Sequence, residues 1–150
     1  MSETITEDLT AVILAGIPGS GKTTYARHLA SHHSYSAVFT DEDSSALQQL
    51  GRRGRTYLDE MVSEKERVVV EWGFRPEYLP LILRLRGPGT LLVWFECSLD
   101  RAEWNFRARP GFVESDMSAF NFQLSEIRRF GLPTPEFLRV RSWNDRPTPS

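Results

Sequence analysis

Gly16-Ile17-Pro18-Gly19-Ser20-Gly21-Lys22-Thr23, followed by Thr24, meets every specified position of the pattern GxxxxGK[ST]. Its context fits as well. Thr10 to Ala15 before it is a short apolar run of strand type, and Thr24 to His33 after it has helical spacing, with Ala26, Leu29, Ala30 and His33 on one face. Strand, glycine loop and helix is the order a phosphate cradle requires. Gly16, Gly19 and Gly21 let successive backbone N–H groups converge on phosphate oxygens, where side chains would obstruct them. The helix start adds its orphan N–H groups and the positive end of its dipole. Lys22 is placed to neutralise β- and γ-phosphates, and the Thr23 hydroxyl to ligate Mg²⁺. The expected nucleotide-binding set is therefore Gly16, Pro18, Gly19, Ser20, Gly21, Lys22, Thr23 and Thr24. A glycine-rich turn capping an ordinary helix is the weaker reading, because it requires neither the lysine nor the hydroxyl.

The chain has 150 residues, enough for one domain with a real core, so a single domain over 1–150 is expected, with 1–8 and 144–150 as flexible ends. A formal charge of −2 argues against a strongly basic nucleic-acid surface. The single Cys97 cannot form an internal disulfide and, at the end of an apolar run, reads as a small buried hydrophobe. No apolar stretch approaches a membrane span, and Met1 to Asp8 lacks signal-peptide features, so a soluble, cytoplasmic protein is expected.

Further along, Ala37-Val38-Phe39-Thr40 reads as a second strand ending in Asp41-Glu42-Asp43. A helix capped by Ser44 or Ser45 follows and is expected to be interrupted at Gly51, and Thr56 to Lys65 forms an amphipathic segment. Arg67 to Trp72 is a β-branched strand with Glu71 near its end, the form expected of a magnesium-associated strand. Phe74 to Leu85 is helical by spacing, and Thr90 to Cys97 is a strand apolar enough to be buried on both faces. Ser98 and Asp100 open a helix bearing Arg101, Arg107 and Arg109, stopped by Pro110-Gly111. Ser115 to Phe130 is a second amphipathic helix, with Met117, Phe120, Leu124, Ile127 and Phe130 toward the core, and Phe137 to Arg141 supplies an edge strand. Strands alternating with helices give an α/β fold with a parallel sheet, and ligands collect at the carboxyl ends of its strands. Asp41, Glu71 and the phosphate loop all fall at that edge.

The chain resembles the small AAA-type P-loop kinases and kinase-like ATPases, a group that includes polynucleotide kinase and zeta-toxin-like proteins. The residues that carry the resemblance are GIPGSGKTTYAR at 16–27, TDED at 40–43, VVVEWGFRPE at 68–77 and WFECSLDRAEWNFRAR at 94–109. It implies a three-layer sandwich around a five-stranded parallel sheet of order 2-3-1-4-5. Glu71-Trp72-Gly73-Phe74 looks like the group's strand-end acid, glycine and phenylalanine, with glutamate where aspartate is usual. The acid after the second strand would accept the proton of an attacking hydroxyl, a role that Asp41 or Asp43 matches. The group's arginine three residues on has no counterpart at Ser44 or Ala46, leaving Arg52, Arg53 or Arg55 as substitutes.

Expected catalytic residues are thus Lys22, Asp41, Glu71, Arg107 and Arg109, with Thr23 and Glu71 toward magnesium and ATP and Mg²⁺ as cofactors. The arginine pair before Pro110 has the look of a hinged lid that closes on the transferring group. Trp72 and Phe74 line either the core or an acceptor pocket, and His28, His32 and His33 are helix-surface residues. The reading is a phosphotransferase acting on a hydroxyl, of a small molecule in preference to a nucleic-acid 5′ end. Its rival is a nucleotide-driven switch module without an acceptor.

Overall fold

The apolar run before the phosphate loop forms the middle of the sheet. In the computed structural model, which describes residues 9–40, 44–72 and 78–141, β1 (Ala11–Gly16) is buried along its whole length. Next in the chain come α1 (Lys22–His32), β2 (Ser36–Phe39), α2 (Ser44–Arg53), α3 (Arg55–Lys65) and β3 (Val68–Glu71). They are followed by α4 (Leu79–Arg84), β4 (Thr90–Glu96), α5 (Leu99–Arg107), α6 (Asp116–Arg129) and β5 (Leu138–Arg141). The sheet order is β2-β3-β1-β4-β5 with every pair parallel, which is the order the family resemblance implied.

A strand buried on both faces must be apolar at every position, and alternate residues then meet different partners. Val12 and Leu14 pack with Tyr25, Ala26 and Leu29 of α1 and with Val69, Val93 and Phe95. Ala11, Ile13 and Ala15 share the opposite cluster with Leu50 of α2, Leu58 of α3, Ile82 of α4 and Ile127 of α6. A third, smaller cluster of Phe106, Met117 and Phe120 ties α5 to α6.

Several boundaries differ from the sequence expectations. The helix opening at Ser44 runs through Gly51 to Arg53. Glycine there has a packing reason, since a Cβ would come 2.8 Å from Cε1 of the Tyr78 ring. On α1 the buried stripe is Tyr25, Ala26 and Leu29, while His33 is an exposed C-cap. Phe130 caps α6 and is exposed, and Cys97, beyond the end of β4, is only half-buried. Of the helix expected over 74–85, the described part is α4, and residues 73–77, including Phe74, lie outside the described residues.

Candidate nucleotide site

Between β1 and α1 the chain passes through a loop in which two glycines leave little room for a side chain. A Cβ on Gly16 would lie 2.7 Å from the buried Ser20 Oγ. Gly19 has φ of +81°, and a Cβ there would sit 2.1 Å from the Ala102 carbonyl oxygen of α5. The first is a matter of space; the second combines space with a left-handed backbone that L side chains disfavour. Gly21 offers α1 no side-chain cap, so the helix start is left to accept an anion. Lys22 is buried and its Nζ donates to the carbonyls of Gly16 at 3.0 Å and Ile17 at 3.2 Å, which holds the ammonium over the loop.

The third strand delivers its acid to this loop. Glu71 pairs in register with Leu14 on one side and Phe39 on the other. Its side chain is buried, and Oε2 accepts a 2.7 Å hydrogen bond from the Thr23 hydroxyl. Two residues 48 apart in the chain are thereby placed side by side. The Glu71 carbonyl in turn accepts from the Thr40 hydroxyl at 2.9 Å and from the Thr40 N–H at 3.2 Å, latching the end of β2 to the end of β3. Asp41, the next residue, and Asp43 lie outside the described residues.

These groups surround a cavity of about 410 Å³. Its walls are the loop and first turn of α1 from Gly19 to Thr24, Phe39 and Glu71 from the strand ends, and Asn105 and Arg109 from α5 and the turn after it. Of the expected nucleotide-binding set, Gly19, Ser20, Gly21, Lys22, Thr23 and Thr24 line it. Gly16 takes part through its carbonyl, and Pro18 is buried within the loop.

The two candidate lid arginines part company. Arg109 reaches the cavity, its guanidinium 4.8 Å from the Phe106 ring centroid. Arg107 does not line it. Glu103 and Glu114 hold the Arg107 guanidinium at 3.0 and 2.7 Å, and their hydrogen bonds, that of Glu114 foremost, raise its pKa further. In this arrangement two carboxylates take up the Arg107 donors on the outer surface. Arg109 is also not carried on a separate hinged segment. Its N–H donates to the Phe106 carbonyl and its own carbonyl accepts from Phe112 N–H, so its backbone is bonded on both sides to α5 and the following turn.

The substitutes considered for an acceptor arginine lie elsewhere too. Arg53 pairs with Glu60, while Arg55 pairs with Asp59 and donates to the Leu85 carbonyl; neither they nor Arg52 line the cavity. Arg101 stacks on the exposed Trp104, and Trp72 is a core residue, 1% exposed. Two lining residues escaped the sequence reading. Phe39 is register-paired with Glu71, and Asn105 on α5 stands four residues before Arg109 in the turn that follows. Both signals were present but were overshadowed by charge.

No family model and no curated protein matches the chain. Solved structures do. A gluconokinase from Sinorhizobium meliloti 1021 aligns over 91% of this chain and 84% of its own, with a TM-score of 0.56 and 16% identity. A shikimate kinase from Bacteroides thetaiotaomicron aligns over 90% and 87%, with a TM-score of 0.62 and 17% identity. A third, the shikimate kinase from Aquifex aeolicus vf5, gives 91% and 88%, 0.52 and 17%. The chain has the fold of these small P-loop kinases. At such identities the likeness concerns the fold. Among the described residues no helix is long and apolar enough to cross a membrane, and no group of three His, Cys, Asp or Glu side chains is arranged to hold a metal.

Proposed function

We propose that the protein is an ATP-dependent kinase that moves the γ-phosphoryl group to a hydroxyl of a small molecule. The observation that carries this reading is the Thr23–Glu71 hydrogen bond, which brings a hydroxyl and a carboxylate together beside Lys22 in the cavity. The gluconokinase and shikimate kinases of like fold support the transfer class and a small acceptor. The narrower kinship with polynucleotide kinase and zeta-toxin-like proteins rests on the sequence motifs alone.

In the proposed reaction the acceptor oxygen bonds to the γ-phosphorus as the bridging P–O bond to the β-phosphate breaks, and ADP leaves. The hydroxyl proton passes to a carboxylate, for which Asp41 is the assigned group. Such a transition state spreads negative charge over the equatorial oxygens, so positioning and cations do most of the work. Lys22 exchanges its loop carbonyls for β- and γ-phosphate oxygens. Loop and helix N–H groups orient the triphosphate, and Arg109 adds a cation from the wall of the same cavity. Thr23 and Glu71 are oxygen donors of the kind Mg²⁺ takes one or two of, the remainder coming from phosphates and water. When bound, the ion neutralises charge on the β- and γ-phosphates. Phe39 gives the acceptor side of the cavity an apolar wall.

The test is incubation with Mg²⁺ and γ-labelled ATP against pooled hydroxyl acceptors, sugar acids, cyclic polyols and 5′-hydroxyl oligonucleotides among them. Lys22→Ala serves as control. Labelling of a small acceptor, reduced at least about a hundredfold in the control, is expected. Lys22-dependent binding without a labelled acceptor would favour a switch module, and labelling of oligonucleotides alone would overturn the small-molecule assignment.

A further inference from the structure

Gly19 is gripped twice by the same helix. Its α-carbon lies so close to α5 that a Cβ would overlap the Ala102 carbonyl, and three residues further along α5 the Asn105 side chain donates from Nδ2 to the Gly19 carbonyl at 3.1 Å. A carbonyl only accepts, so the amide nitrogen of Asn105 is the end that faces it. On the other side of the same peptide unit the Ser20 N–H donates to the Ile17 carbonyl at 3.2 Å. In a planar trans peptide the C=O and N–H point in opposite directions. The Gly19–Ser20 plane is therefore held at both ends, once from within the loop and once from α5.

That double hold matters because Gly19, as a glycine, has little intrinsic restraint of its own. Glycine populates positive and negative φ about equally, so a rotation of the adjoining peptide plane costs little locally. Rotation would exchange the places of the carbonyl oxygen and the N–H and break both hydrogen bonds. Within a cradle whose affinity comes from the direction of its N–H groups, a carbonyl turned the wrong way opposes the phosphate it should receive. We infer that Asn105 is a positioning residue for phosphate binding, fixing the Gly19–Ser20 peptide in the orientation the triphosphate needs. It acts through Gly19 and not on the reacting atoms. With Asn105 on α5 and Arg109 just beyond its end, α5 and the turn after it set the loop and one cation of the cavity from a single support. This inference rests on the kinase reading above and specifies how its site is kept in shape.

The experiment measures Mg²⁺-ATP binding by calorimetry for the wild-type protein, Lys22→Ala, Asn105→Leu and Asn105→Asp. Asn105→Leu keeps the volume and removes the donor, and the dissociation constant is expected to rise roughly tenfold, the scale of one lost hydrogen bond. Asn105→Asp supplies a readout that altered packing would not move, because aspartate has the shape of asparagine. At neutral pH its carboxylate is ionised and cannot donate to the Gly19 carbonyl, so its dissociation constant should rise at least as far as that of Asn105→Leu. Wild-type affinity in Asn105→Leu, or in Asn105→Asp, would overturn the role of Asn105 alone. Absence of Lys22-dependent ATP binding in the wild-type protein would overturn the kinase reading and this inference with it.

Discussion

The phosphate loop and the turn after α5 line one cavity, and they are built on opposite principles. The loop is a backbone device: buried β1 leads into it, glycines remove every obstructing Cβ, and its one long side chain, Lys22, is tied to its own carbonyls. The turn after α5 is a side-chain device on an exposed surface. There, Arg107 and Arg109 stand two residues apart, one neutralised by Glu103 and Glu114 and the other stacked on Phe106 and turned to the cavity. In the loop, function follows from which residues are present. In the turn it follows from which neighbours each residue finds.

Substitution at the seam between the two should have the largest effect. Gly19→Ala forces a side chain into a left-handed position and against the backbone of α5 at once, where nothing flexible can give way. A loss of about 2 kcal/mol or more in unfolding free energy is expected, together with loss of ATP binding. Chemical denaturation monitored by circular dichroism checks the first part and calorimetry the second. Wild-type stability would mean that loop and helix are not in contact, and the contrast drawn above would collapse.

The arginine pair sharpens the same contrast at intermediate size. Arg109→Ala is expected to lower the rate of γ-phosphoryl transfer by ten- to a hundredfold, since it removes a cation from the cavity wall. Arg107→Ala should change that rate less than about threefold and leave the unfolding midpoint essentially unchanged, as befits exposed ion pairs. Steady-state kinetics on the two variants decides it; the reverse ranking would show that the ion pairs of Arg107 open when nucleotide binds.

The smallest effect belongs to the far end of α1. His28 lies beside His32 and His33, with ring centroids 4.6 and 5.3 Å away, and partial burial, followed by repulsion from those two rings, lowers its pKa from the ordinary value of 6.5. The unfolded chain then takes up the proton more readily than the folded one. Its contribution to stability is complete above that ordinary value and is lost as pH falls below it through the folded pKa. His28→Gln should flatten the decline in melting temperature between about pH 7.5 and pH 5 by a degree or so, without changing ATP affinity at pH 7.5. A steeper decline in the variant would mean that protonation of His28 is favourable, as at an isolated helix C-terminus.

How far sequence served depended on the range of the interactions concerned. The loop's place between β1 and α1 is legible because its pattern is held within nine consecutive residues, Gly16 to Thr24, and that of Glu71 because a β-branched strand ending in an acid is a local pattern. The strand order was not visible in periodicity at all and came from the resemblance. Arg107 could not be told from Arg109, since Glu114, which occupies the former, lies seven residues away beyond a glycine turn. Gly51 was read as a breaker because its local propensity is poor, whereas its reason, the ring of Tyr78, comes from α4's side of the core. Asn105 carries no local signal, because a neutral amide acquires meaning only from the distant carbonyl it meets, 86 residues earlier in the chain.

The central position of β1 also fixes a sequence of events during synthesis. Its neighbours in the sheet are residues 68–71 and 90–96, so the strand that leads into the phosphate loop has no partner of its own until chain far beyond it has been made. Loop closures of that span are slow, and an apolar strand waiting for them is exposed to wrong partners. β1 is made ahead of both strands that complete it, and chains halted before residue 90 lack one whole side of it. Capture on immobilised ATP would therefore separate finished molecules from unfinished ones.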